Sequence, residues 1–244
     1  MYVDDFALIE RDAAAAIAYL RTRPDIDSKR IAIGGVSHGA GVALAVAGRD
    51  PAISAVVMLA WPVGASEGVF LALMRTKLQS AGMQEKAIAG LLAATRGFMD
   101  ARTGDAKQDG VAPLREDLAG AFMAGGFTRA QADGVIAEFE TPEVLSIYKL
   151  NPYATLTTLR APVLALYASL DKVIGTNEAP VAKAALAQNA DATVIEVAGT
   201  NHWFQPSATA EPQPGRPLTE PRAIDLIETW LKTRLHVGDK RAPS

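Results

Sequence analysis

The chain has 244 residues, of which 49% are hydrophobic and 21% charged, with a net charge of −3 and a pI of about 5.7. This balance excludes a disordered chain and fits one large α/β domain, or one carrying an insertion. Weak acidity leaves no electrostatic footprint for nucleic acid or an anionic membrane surface. There is no cysteine, which excludes disulfides, thiol nucleophiles and Cys-based zinc or iron–sulfur sites and fits the cytoplasm. The acidic start "MYVDDFALIERD" is no signal peptide, and no stretch approaches the roughly 20 apolar residues of a membrane span.

Residues 5 to 22 place Phe6, Ile9, Ala13, Ile17 and Leu20 on one helical face. Asp4 or Asp5 can cap that helix, and Pro24 ends it. "DIDSKR" reads as a turn. "IAIGG" (31–35) then reads as a short buried strand, being β-branched and apolar on both faces. Residues 38 to 47 have helical composition, with Gly48 as a stop. "ISAVVMLA" (53–60) is a second buried strand.

After Trp61-Pro62 the texture changes. Residues 66 to 150 carry no convincing strand, and they predict helices near 67–80, 83–101, 113–123, 128–139 and 142–149. Because strands resume afterwards, residues 62–150 read as a helical insertion in a core made of 1–61 and 151–237. "APVLALYA" (161–168) is a third strand, followed by a helix at 178–189 and a fourth strand, "ATVIEVA" (192–198). "EPQPGRPLTEP" (211–221) is a loop, 221–235 a last helix, and 238–244 a disordered tail. Strand alternating with helix predicts a parallel sheet covered by helices.

Between the first strand and its helix stands Gly35-Val36-Ser37-His38-Gly39. This is G-x-S-x-G in the strand-to-helix setting that the pattern requires. A sharp turn holds the Ser in a strained backbone conformation. The two glycines let strand and helix approach closely. The hydroxyl then projects beyond the strand's C-terminal end, where the helix N-terminus favours developing negative charge.

A Ser hydroxyl needs a base, and the chain has three histidines. His38 sits in the turn itself, where its backbone N–H is placed to donate to an oxyanion. His236 lies near the chain end. His202, in "AGTNHWF", follows the fourth strand and faces the same rim as Ser37. Asp171, just past the third strand, is the candidate to fix the His202 tautomer. Asp191 is the rival, but it precedes the fourth strand and belongs at the opposite rim. Trp61 and Trp203 follow strands near the rim and are candidates for a substrate pocket, with core packing as the other reading.

These pieces resemble an α/β-hydrolase of the dienelactone-hydrolase-like and prolyl-oligopeptidase-like esterase branch. The resemblance rests on "DAAAAIAYLRTRPDIDSKRIAIGGVSHGAG", "LRAPVLALYASLDKVIG", "GTNHWFQPSA" and "AIDLIETWLK". It implies a Ser37–His202–Asp171 triad, hydrolysis of small to medium carboxylic esters, no cofactor, and a helical cap made by 62–150. An acidic residue commonly follows the nucleophile in that family; here it is His38. Ala168 stands where a Gly usually opens the acid loop.

The family's first four strands have no counterpart, so the chain is expected to be N-terminally truncated relative to it. The loop that supplies the second oxyanion donor has no counterpart either. "IAIGG" would then be an open sheet edge. The expectation is that a second copy, or a complementing segment, covers Ile31–Gly35. A peptidase or amidase on the same triad, or a non-catalytic binding subunit, are the other readings. No phosphate-loop motif and no H-E-x-x-H zinc motif is present.

Overall fold

A computed structural model describes residues 5–64, 66–104, 108–207 and 220–237. The chain divides into two compact units, Ile9–Gly64 with Asn151–Ser244, and Met1–Leu8 with Ala65–Leu150.

The first unit holds a parallel sheet. It begins in α1 (Phe6–Thr22), whose opening turn groups with the second unit. The Asp5 carboxylate accepts the Ala7 N–H at 3.0 Å there. Next come β1 (Ala32–Val36), α2 (His38–Arg49) and β2 (Ala55–Leu59). Two ion pairs tie α1 to the far end of α2, Arg49 to Glu10 and Arg21 to Asp50, each at 2.7 Å.

The second unit is all helix: α3 (Ser66–Ser80), α4 (Glu85–Thr103), α5 (Gln108–Ala124), α6 (Arg129–Phe139) and α7 (Pro142–Tyr148). Its core is aromatic and aliphatic, with Phe98, Met99, Phe122 and Ile136 fully enclosed. Thr128 and Gln131 form a reciprocal capping box at the start of α6. Thr141 caps α7, with Pro142 in its first turn. The α5 helix starts at Gln108 rather than near 113. Pro113 lies inside it, past the first turn, so the ladder lacks the bond its N–H would have given to the carbonyl four residues back.

The sheet unit resumes with α8 (Pro152–Thr158), β3 (Val163–Ala168), α9 (Glu178–Ala185), β4 (Ala192–Val197) and α10 (Pro221–Arg234). Sequence periodicity misses α8, since "TLTT" has poor helix propensity. Asn151 caps it by accepting the Ala154 N–H at 3.0 Å. The 211–221 loop assignment falls mostly outside the described residues, and the 238–244 tail wholly so.

The strand order is β1-β2-β3-β4, all parallel. Ser37, Asp171 and His202 therefore follow β1, β3 and β4 at one rim. Strands β2 and β3 are buried throughout, as continuous apolar runs require. β1 departs from the fully buried strand expected: Val36 is 46% exposed and Gly34 is exposed. β1 is an edge strand, and among the described residues nothing pairs with its outer side.

Beside it a groove of about 660 Å³ runs between the sheet face and α10, lined by Gly34, Val36, Val57, Ile224, Ile227 and Leu231. Gly48 does not stop α2, which continues to Arg49. A Cβ there would lie 2.7 Å from the Thr155 methyl, so this glycine lets α8 pack against α2.

Candidate active site

Ser37 sits between β1 and α2 with φ 51° and ψ −123°, a region that L-residues rarely adopt. Its N–H donates to the Leu59 carbonyl at 2.7 Å, so β2 pins the turn. Its carbonyl accepts the Ala40 N–H at 2.9 Å, which opens the helix.

The two glycines of the motif are not equivalent. A Cβ on Gly35 would lie 2.2 Å from the carbonyl carbon of Gly39. A Cβ on Gly39 would meet nothing within 4 Å. Close approach therefore depends on Gly35 alone, which corrects the expectation for Gly39. Gly41, one position beyond Ala40, is occupied differently: the Trp61 ring lies 2.6–2.9 Å from where its Cβ would be.

Asp171 is 1% exposed and His202 5%. His202 Nδ1 and Asp171 Oδ2 are 2.7 Å apart. The other Asp171 oxygen accepts the Val173 and Ile174 N–H groups at 2.8 and 3.0 Å. The carboxylate is thereby fixed in rotation and presents one oxygen to the imidazole. A carboxylate at Nδ1 places the proton there and leaves Nε2 with its lone pair free to act as a base. No hydrogen bond joins Ser37 Oγ to His202 among the described residues. Such bonds often tighten only when substrate is bound. Asp191, the rival acid, is engaged at the opposite end by Arg234 at 2.6 Å.

His38 opens α2, so its backbone N–H lies at the helix N-terminus beside Ser37. Its ring stacks with Trp61, the ring centroids 6.3 Å apart. Trp61 is buried and packs on α2. Trp203 is half-buried and meets the His202 ring edge-on at 5.3 Å.

Two residues at the site carry no motif signal in the sequence. Asn201 is fully buried, and its side-chain oxygen accepts the Trp203 and Gln205 N–H groups, each at 3.1 Å, which shapes the His202 loop. Glu178 opens α9 and accepts the Val63 N–H at 2.7 Å. Burial pushes its carboxyl above the usual carboxylate range; the Val63 N–H opposes this shift and the Asp171 charge adds to it. The buried Tyr167 hydroxyl is pushed up by burial and by Glu178. Among the described residues, no group of His, Asp and Glu side chains is placed to hold a metal ion.

A family model described as the alpha/beta hydrolase family matches residues 3–212. The chain belongs to the alpha/beta hydrolase family. No curated protein matches it significantly.

Among solved structures, it is similar to DcsB in complex with its substrate analogue, with 17% identity and a TM-score of 0.52. That match covers 96% of this chain and 74% of DcsB. A thermophilic esterase from Thermogutta terrifontis matches at 14% identity and a TM-score of 0.50, with the same coverages of 96% and 74%. An acylaminoacyl peptidase from Pyrococcus horikoshii matches at 11% identity and a TM-score of 0.50, covering 96% of this chain and 29% of that one. At these identities the likeness extends to the fold. No helix among the described residues of this α/β-hydrolase is long and apolar enough to cross a membrane.

Proposed function

We propose that this α/β-hydrolase is a serine esterase that cleaves small to medium carboxylic esters through an acyl-enzyme. The observation that carries the reading is the buried Asp171–His202 pair, at 2.7 Å, on the same rim as a Ser held at φ 51°.

Ser37 Oγ attacks the ester carbonyl as His202 Nε2 takes its proton. The tetrahedral oxyanion forms beside the α2 N-terminus, where the His38 N–H donates to it. The intermediate collapses as His202 returns the proton to the departing alkoxide, and the alcohol leaves. Water then attacks the acyl-Ser37, with His202 again acting as the base, and the acid is released. Asp171 holds the imidazole and stabilises its charged form. The chemistry uses no metal or organic cofactor.

The test is hydrolysis of p-nitrophenyl acetate and butyrate, with the matching p-nitroanilides alongside, by the wild type and Ser37→Ala. Ester turnover abolished by the substitution supports the reading. Turnover on anilides but not esters would move it to an amidase. No turnover by the wild type on any of these would leave a binding subunit.

A further inference from the structure

Glu178 is a half-buried carboxyl beside the site that the acyl-transfer steps above leave without a task. It lies at the end of the segment that begins with Asp171, and its Oε2 holds the N–H of Val63 at 2.7 Å. Val63 is fully buried and ends the exit from β2. That exit starts at Ala60, whose φ is 50°, and continues through Trp61. The Trp61 ring lies on α2 at Gly41 and stacks with His38.

One side chain thus joins two parts of the site. One part carries the acid that orients His202. The other is the wall packed on the helix that follows Ser37. We propose that Glu178 is a positioning residue that ties the β2 exit to the acid loop and so fixes the Trp61–His38 wall relative to the Asp171–His202 pair. This inference rests on the esterase reading.

The carboxyl contributes a charge as well as an anchor. Asp171, from the loop after β3, acts on it, and Glu178 in turn acts on the Tyr167 hydroxyl of β3. The β2 exit contributes the Val63 amide. Ionised Glu178 places negative charge near Asp171.

Two variants separate anchor from charge. Glu178→Gln keeps an oxygen for the Val63 N–H and loses the charge; Glu178→Ala loses both. For the alanine variant, kcat should fall by roughly ten- to a hundredfold with KM changed much less, as expected when reacting groups are displaced by about 1 Å. Amide exchange at Val63 should accelerate. The glutamine variant, whose amide oxygen can still accept the Val63 N–H, should keep kcat within about threefold and Val63 exchange close to the wild-type rate.

Alanine and glutamine variants equally impaired would show that the oxygen on Val63 is not what matters and would overturn the proposal. Unchanged Val63 exchange in the alanine variant would also overturn it. A wild type without Ser37-dependent turnover removes the esterase reading and this inference with it. An active wild type matched by both variants removes this inference alone.

Discussion

The residues proposed to do chemistry are the most legible part of this chain, because chemistry restricts residue type more than packing does. Ser37, Asp171 and His202 stand out by motif, by scarcity and by order after strands. The roles of Gly35 and Gly39 are not separable in one dimension, yet the structure separates them sharply. Gly35→Ala forces a Cβ to within 2.2 Å of backbone at Gly39. Backbone cannot step aside as a flexible side chain can, so Ser37 is displaced. A loss of at least about a hundredfold in kcat/KM is expected. Gly39→Ala meets open space and replaces a helix glycine by a better helix former, so turnover within about threefold is expected. Comparing p-nitrophenyl butyrate kinetics of the two variants checks both. Asp171→Asn keeps the shape of the acid but not its charge, and the amide can present an N–H to Nδ1. That stabilises the wrong tautomer, and kcat should fall on the order of 10³–10⁴-fold. Glu178 and Asn201 were silent in the sequence because their partners, Val63, Trp203 and Gln205, offer backbone N–H groups that carry no sequence signature.

At the scale of the element, strands buried on both faces declare themselves as unbroken apolar runs, and β2 and β3 follow their runs closely. Helix ends are harder to read because a glycine serves several purposes. Gly48 looks like a stop but is a contact point for α8. Gly41 looks like a mid-helix weakness, yet the Trp61 ring fills its place. Gly41→Ala would gain at most about 1 kcal/mol of helix propensity. It would force a Cβ to within 2.6–2.9 Å of the rigid indole, an overpacking that costs roughly 1–3 kcal/mol. The variant should therefore be destabilised, with a lower urea midpoint. The tie between α1 and the end of α2 makes a different prediction. The Arg21 guanidinium, donating to Asp50, holds that carboxyl below its usual range, aided by the Ala52 N–H. A lowered native pKa means stability that is present above the unfolded value and is lost as pH falls through the native one. Asp50→Asn should cost about 1 kcal/mol at neutral pH. The gap from wild type should close as pH is lowered through the carboxylate range, read from urea titrations at several pH values.

For the whole molecule, the open question is the outer side of β1. The backbone itself says what that edge offers. Ile31 accepts from Ser54 and Ser37 donates to Leu59, so odd-numbered residues turn their polar groups towards β2. The N–H and C=O groups of Ala32, Gly34 and Val36 therefore point outward. Their alternating partial charges are complementary to those of an antiparallel copy of the same strand. Centred on Gly34, such a pairing sets Ala32 against Val36 and Gly34 against its own counterpart, and every outward group finds a partner. The exposed apolar side chains Val36 and Ile224, at 46% and 49%, flank that line, as does the groove beside α10. A long-lived dimer needs roughly 1,000 Å² or more of buried surface, more than one short strand supplies, so these side chains must be covered too. We expect sedimentation velocity at micromolar concentration to give a dimer. Ala32→Pro removes one outward N–H while leaving the bonds to β2 intact. It should give a monomer with unchanged far-ultraviolet circular dichroism. A monomeric wild type, or a dimer indifferent to that proline, would rule out pairing through β1.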